Sequence, residues 1–456
     1  MSVELEVAVE ALGAAGDGVT AIDGRRVFVP GALPGERWRI RLDPKGDRAV
    51  PLSCLRSMPR AEPPCRHFGR CGGCSLQHLL PADYAVAKRG RVLEALRRQG
   101  LAIDMVGDLR VGPPASRRRL RLALTKERSR LRLGLRERSG QAVVPLDMCP
   151  AAEPALEALL PTLADALARW LVRPWPAEAS LTLTEGGPDL LLHAARPPTA
   201  AERAGVASLA DGLDLARIAW QVVGPPESLL LRRAPSVTLS GIAVEPPPGA
   251  FLQASAFGEH ELAGAVSEWA GDARHAADLY AGLGTLTFAL AGRVRRVLAC
   301  ESEPMTAAAL RRAAAGRAVT VVERDLVRRP LQPSELAHDL VVLDPPRAGA
   351  PAQCAALARS RVPRVIYASC HPESFARDAR ILMDSGFALV EVRPIDQVPW
   401  TAEIELAALL VRPGSRESPL IPSAPAATCP PPKPLSPSSS GPGRRPLTAK
   451  TGVRVP

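Results

Sequence analysis

Several short segments in the C-terminal half carry residue types that could do chemistry together. Asp278-Leu-Tyr-Ala-Gly-Leu-Gly284 follows a strand-like run and precedes a helical pattern, the place where a doubly wound sheet receives a nucleotide-like ligand. Gly282 and Gly284 permit a tight turn, and the helix that follows offers unpaired N–H groups. A second strand-like run ends at Glu301, 17 residues beyond Gly284, near the separation at which a carboxylate grips ribose hydroxyls. After the third run, Asp325 could hold an adenine edge or simply cap a helix. The fourth ends in Asp344-Pro-Pro-Arg347, whose prolines cannot continue a sheet and so hold the carboxylate at its edge. The fifth ends in Ser369-Cys370-His371-Pro372, placing a thiol where a nucleophile could stand beside that crevice. An inert buried cysteine is the bland alternative for Cys370, and its neighbours weigh against it.

A second set of thiols lies far upstream. Cys65, Cys71 and Cys74, with Cys149 after a long insertion, supply four thiolates without histidine, a set suited to an iron–sulfur cluster or to structural zinc. Cys54, Cys300, Cys354 and Cys429 have no partner at ligand spacing. Nine cysteines without a secretory leader argue against a disulfide framework.

The elements that must position these groups fall into four stretches. Residues 1–58 contain short alternating runs (3–9, 25–29, 36–42, 49–55) separated by Gly, Pro and Asp, a pattern that closes a small β-barrel. Residues 59–245 form a central α+β region: the cysteine loop, a helix over 82–99, and a hairpin over 117–138. In that hairpin Leu120, Leu122 and Leu124 share one face, while Arg119 and Arg121 share the other for phosphate or for solvent. Over 246–412 strands alternate with helices, predicting a mainly parallel sheet covered on both faces, in an α/β doubly wound, Rossmann-like domain. The Pro- and Ser-rich tail, 413–456, lacks the means to build a core.

Composition sets the outer bounds. With 456 residues, 46% apolar and 23% charged, the chain reads as a folded multidomain protein. Its apolar runs fall short of the roughly 18–20 residues of a membrane span. An acidic N-terminus without a leader pattern leads us to expect a cytoplasmic protein. The net charge of +11 favours a polyanionic partner, although six basic residues and one acid sit in the tail.

Phe251-Leu-Gln253-Ala-Ser255, DLYAGLG, DPPR, SCHP and Glu405 together resemble the 5-methyluridine RNA methyltransferases, and the first 150 residues resemble that family's TRAM-containing, iron–sulfur branch. The resemblance implies S-adenosylmethionine as methyl donor, with Gln253, Tyr280, Glu301 and Asp344 holding it and Thr285 and Asp325 at further binding positions. It implies Cys370 as the nucleophile on uracil carbon 6 and Glu405 as the base that removes the carbon 5 proton. It also implies a 4Fe-4S cluster on Cys65, Cys71, Cys74 and Cys149, with zinc as the lesser candidate. RNA is the implied partner, 23S ribosomal RNA ahead of transfer RNA.

Two positions depart from that family's pattern: Ser255 where Asn is usual, and Glu403 where His is usual. Three readings therefore stand beside 5-methyluridine formation in 23S RNA: a transfer-RNA uridine, cytosine carbon 5, or a noncatalytic ribosome-assembly factor.

Overall fold

The computed structural model describes residues 4–42, 46–127, 130–138 and 140–414. The proline-rich tail expected over 413–456 lies, from residue 415 on, outside the described residues. Among the described residues no helix is long and apolar enough to cross a membrane.

The N-terminal strands are β1 (Glu4–Ala8), β2 (Ala11–Leu12), β3 (Gly18–Ile22), β4 (Arg25–Val29), β5 (Arg37–Leu42) and β6 (Ala49–Arg56). They form two three-stranded antiparallel sheets, β1-β5-β6 and β2-β3-β4. The sheets close in a barrel-like manner around Val9, Val27, Val29, Ala32, Ile40 and Ala49. The buried Asp17 carboxylate ties this unit to the central hairpin through Arg138 at 2.5 Å.

After the cysteine loop come α1 (Pro81–Arg98) and β7 (Arg110–Val111), then the central strands β8 (Arg119–Glu127), β9 (Arg130–Arg136) and β10 (Val143–Pro145). Next in the chain are α2 (Pro154–Glu157), α3 (Leu160–Trp170), β11 (Glu178–Thr184), β12 (Gly187–His193), α4 (Ala200–Gly212), β13 (Arg217–Gln221) and β14 (Glu227–Leu231). The central sheet runs β10-β9-β8-β11-β12-β13-β14. Its period-2 alternation buries Leu120, Leu122 and Leu124 against Leu160, Leu163 and Leu167 of α3.

The arginines at the entry to β8 have a more specific use than solvent contact. Arg118 is buried, pairs with Glu259 and donates to the Gln253 carbonyl at 2.9 Å. Arg119 donates to the Leu252 carbonyl at 2.6 Å and lies over the Phe251 ring. Burial lowers the Arg119 guanidinium to about 10. These residues dock the central domain on the 251–255 segment of the catalytic domain, and Arg121 alone of the three lies exposed, beside Glu178 at 2.7 Å.

The hairpin β15 (Val237–Leu239) and β16 (Ile242–Val244) leads into the catalytic domain. Its elements are α5 (Ala256–Trp269), β17 (His275–Leu279), α6 (Thr285–Ala291), β18 (Arg296–Glu301), α7 (Pro304–Ala313), β19 (Val319–Glu323), β20 (Leu340–Leu343), α8 (Pro351–Ala358), β21 (Arg364–Ser369), α9 (Pro372–Asp384), β22 (Ala388–Asp396) and β23 (Glu405–Val411). Among the described residues they form an eight-stranded sheet, β19-β18-β17-β20-β21-β23-β22-β7. The first five are parallel, and the Leu340-Val-Val-Leu run of β20 is buried on both faces. β23 pairs antiparallel with both neighbours. The eight residues 397–404 joining β22 to β23 are too few for the dozen or so that a parallel crossover needs.

One sheet face packs on α5 and α6 through Leu262, Val266, Leu286 and Leu290. The other packs on α8 and α9 and also on α1, whose Val92, Ala95 and Leu96 share a core with Val341, Leu343 and Phe375. Helix α1 and strand β7, which precede the central sheet in the chain, are therefore part of the catalytic layer.

Candidate active site

Every parallel strand delivers its polar residue to the same sheet edge. Tyr280 follows β17, Glu301 ends β18, Asp325 lies two residues past β19, Asp344 follows β20 and Cys370 follows β21. All five line one cavity of about 680 Å³, together with Gln253, Thr285, Gln397 and Glu405. The position is the carboxyl edge of a doubly wound sheet, where such folds bind ligands.

Local backbone form explains how the cavity opens. Gly284 caps α6 with φ +98°, and a Cβ there would stand 2.5 Å from Leu310 and 2.7 Å from Phe288. Tyr280 adopts φ +68°, a left-handed form that a side-chain-bearing residue keeps only when its surroundings enforce it. The Glu301 carboxylate accepts from the N–H groups of Gly282 at 2.8 Å, Ser302 at 2.8 Å and Glu303 at 2.7 Å. It thus locks the first turn to the second strand. Asp325 caps its own turn, accepting from the N–H groups of Val327 at 3.0 Å and Arg328 at 3.2 Å, while still lining the cavity.

The catalytic end is organised by a residue that sequence reasoning missed. The Gln397 side chain donates to Glu405 Oε2 at 2.6 Å and to Gln253 Oε1 at 3.0 Å, and accepts from the Ala254 N–H at 3.0 Å. Gln253 in turn donates to Asp344 Oδ2 at 3.3 Å. One amide therefore links the candidate base to a candidate cofactor ligand. A glutamine at the end of an apolar strand carries no signal of this in the sequence.

Both departures from the family pattern have structural uses. Ser255 is fully buried and N-caps α5, accepting from the Gly258 N–H at 3.1 Å. Glu403 pairs with Arg347, the residue after the double proline, at 3.2 Å beside the cavity.

The cavity is electrostatically unusual. Burial raises Asp278 and Asp344 to about 7 and Glu405 to about 8, where the neighbouring Asp344 charge adds to the effect. One Asp278 oxygen accepts from the Thr287 hydroxyl at 2.5 Å and the other has no partner. Burial pushes the Cys370 thiol up to about 12, helped by the Glu405 and Asp344 charges and opposed by Arg347. A cationic ligand would relieve all four groups.

Carboxyls raised in the fold hold protons that the unfolded chain releases, so their stabilising contribution is complete at low pH and is lost between about pH 4 and pH 8. The melting temperature is therefore expected to fall as pH rises from about 6 to about 8, and Glu405→Gln to make the fall shallower. Equal slopes in thermal melts of the two proteins would contradict this.

The four upstream cysteines lie on the 65–74 loop and at position 149, just after β10. Among the described residues no three His, Cys, Asp or Glu side chains stand in a metal-ligand arrangement. The thiols do lie close enough to feel one another. Burial is the main cause that raises Cys71, Cys74 and Cys149; Cys65 and Cys149 add to it at Cys71, Cys71 and Cys149 at Cys74, and Cys65 at Cys149. An all-thiol quartet drawn from two segments fits a tetrathiolate-held group in its donor chemistry.

Comparison with known proteins agrees with this geometry. The family model described as tRNA (Uracil-5-)-methyltransferase matches residues 244–413. A Caulobacter vibrioides protein named as an uncharacterized RNA methyltransferase is 39% identical over 421 residues, covering 89% of this chain and 100% of its own. The 23S rRNA (uracil(1939)-C(5))-methyltransferase RlmD of Chromohalobacter salexigens is 34% identical over 409 residues, covering 85% of each chain. The solved Pyrococcus abyssi tRNA (uracil-54, C5)-methyltransferase, in complex with S-adenosyl-L-homocysteine, shares the fold at a TM-score of 0.69 and 22% identity, covering 89% of this chain and 100% of that one. The chain belongs to the S-adenosylmethionine-dependent RNA (uracil-5-)-methyltransferase family.

Proposed function

We propose that this protein forms 5-methyluridine in 23S ribosomal RNA, with Cys370 as nucleophile and Glu405 as base. The observation that carries the assignment of roles is the single cavity holding both groups beside the strand-end carboxylates. The choice of RNA rests on the relative named for 23S methylation.

Carbon 5 of uracil is a poor nucleophile. The Cys370 thiolate adds to carbon 6, and the carbon 5–carbon 6 π electrons move toward carbon 5 and the carbonyl oxygen. S-adenosylmethionine, when bound, would supply an electrophilic methyl group and a positive charge: carbon 5 takes that methyl as the sulfonium–methyl bond breaks, leaving neutral S-adenosylhomocysteine. The Glu405 carboxylate then removes the carbon 5 proton, the double bond reforms and the Cys370 sulfur leaves carbon 6 as thiolate. Gln253, Tyr280, Thr285, Glu301, Asp325 and Asp344 are assigned to the methyl donor. The cavity lies beneath the strand ends, so the target uridine must leave its stack to reach Cys370.

Cys65, Cys71, Cys74 and Cys149 are assigned to a 4Fe-4S cluster, which would fasten the 65–74 loop to the segment after β10. Anaerobic purification is expected to yield about four irons and four sulfides per chain, lost on Cys149→Ser. Zinc in place of iron would contradict this. A compartment with reduced thiols, the cytoplasm, suits such a site.

The substrate is tested by incubating the protein with methyl-labelled S-adenosylmethionine and unmethylated 23S RNA or transfer RNA, then digesting the product to nucleosides. Label in 5-methyluridine from 23S RNA supports the proposal. Label from transfer RNA alone would replace the target, and label in 5-methylcytidine would overturn the reaction.

A further inference from the structure

The loop that leads into Glu405 is held by a part of the chain over three hundred residues away. Residues 397–404 form neither helix nor strand, so their backbone polar groups need outside partners. Helix α1 supplies them from one face, using Tyr84, Lys88 and Arg91 at i, i+4 and i+7. Lys88 Nζ donates to the Thr401 carbonyl at 3.0 Å and to the Glu403 carbonyl, and pairs with Asp396 Oδ1 at 2.7 Å. Arg91 donates to the Ala402 carbonyl. The Tyr84 hydroxyl donates to Asp396 and accepts from the Trp400 N–H at 2.9 Å. The Trp400 carbonyl accepts from the N–H groups of Ser75 and Leu76, at 2.8 and 2.9 Å, on the chain just after Cys74.

Packing alone does not require this arrangement. Lys88 and Asp396 are both fully buried, and an apolar pair would fill the same space without the cost of desolvating two charges. The Lys88 ammonium stands against the Asp396 carboxylate and donates to the alternate loop carbonyls of Thr401 and Glu403, which no apolar residue can do. Trp400 is also held at φ +65°, a left-handed conformation that a tryptophan keeps only under constraint. What the constraint orients is the segment with Gln397 at one end and Glu405 at the other, joined across it by the 2.6 Å hydrogen bond.

We propose that the Tyr84–Lys88–Arg91 face of α1 positions the catalytic base, clamping residues 396–403 so that the Glu405 carboxylate stands where it can take the carbon 5 proton. The proposal rests on Glu405 being that base. These are positioning residues: none of the three lines the cavity that holds Cys370 and Glu405. Because proton removal is the step that frees Cys370 from carbon 6, a loosened clamp leaves methylated RNA attached to the protein.

The test uses the full chain with unmethylated 23S RNA and labelled S-adenosylmethionine. Free product and denaturation-resistant RNA–protein adduct are quantified for wild type, Lys88→Met, Tyr84→Phe and Glu405→Gln, alongside melting temperature and S-adenosylhomocysteine binding. Lys88→Met is expected to slow turnover about tenfold to a hundredfold with adduct accumulating and S-adenosylhomocysteine binding unchanged. Tyr84→Phe shifts both about threefold in the same direction, and decides the matter if Lys88→Met does not fold. Slower turnover without adduct, or wild-type turnover, in a folded variant overturns the clamp while an adduct-forming Glu405→Gln preserves the base. Wild-type turnover by Glu405→Gln removes the base assignment and the clamp with it.

Discussion

Replacing Cys370 by alanine is expected to lower methyl transfer by at least about 10⁴-fold while leaving RNA and S-adenosylhomocysteine binding intact. The thiol stands at the carboxyl end of β21, half-buried on the cavity wall, and the substitution leaves Ser369 and the His371 cap of α9 in place. No other cysteine lining that cavity is exposed enough to replace it: Cys300 is fully buried. Loss of stability should stay within about 1 kcal/mol, because one partly exposed sulfur is removed and no charge is left unpaired. Single-turnover methylation, read with a thermal melt of the same sample, checks both halves. Methylation at the wild-type rate would remove Cys370 from the mechanism.

Glu405→Gln is expected to separate the two chemical halves of the reaction. Methyl transfer precedes proton removal, so the variant should complete the first and stall before the second, with turnover reduced about 10²- to 10⁴-fold. The amide keeps the shape of the carboxyl group and an oxygen for the Gln397 donor at 2.6 Å, so collapse of the site does not explain the loss. In the wild type, burial raises Glu405 to about 8, and only its deprotonated form can accept the proton. At limiting S-adenosylmethionine the wild-type rate should therefore climb with pH toward about 8, and this climb should be missing from the variant. A pH–rate profile together with a denaturing gel for RNA-bound protein reads both effects. Free 5-methyluridine produced by the variant at the wild-type rate would assign the base elsewhere.

The catalytic sheet was legible because buried parallel strands are short apolar runs, and each is followed at the sheet edge by a residue out of keeping with a core. Val341-Val342-Leu343 before Asp344, and Ile366-Tyr367-Ala368 before Ser369 and Cys370, announce both strand and site in a few residues. Strand β3, Gly18–Ile22, is hidden in the sequence because its glycine start and lack of strict alternation resemble a turn. The period-2 pattern of β8 correctly placed its leucines inside, yet it could not say that Arg118 and Arg119 would meet the 252–253 carbonyls more than a hundred residues on. Helix α1 presented the same limit. Its apolar spacing shows a buried face, but which sheet it covers depends on tertiary contacts with β22 and α9. Lys88 reads as one more surface lysine until Asp396 stands opposite it. Ser255 stands out as a departure because a motif comparison sees a missing amide and not a helix cap.

The roles of Cys370 and Glu405 converge on one prediction about a bond. An RNA in which the target uridine carries fluorine at carbon 5 can be attacked at carbon 6 and methylated, but there is no proton at carbon 5 for Glu405 to remove, so the sulfur–carbon 6 bond should persist. The most direct measurement is therefore mass spectrometry of the proteolysed product after incubating the full-length protein with 5-fluorouridine-substituted 23S RNA and S-adenosylmethionine. A peptide containing Cys370 that carries a methylated fluorouridine nucleotide is expected. Modification at another residue, or intact Cys370 peptide in a preparation that methylates unsubstituted RNA, would contradict it.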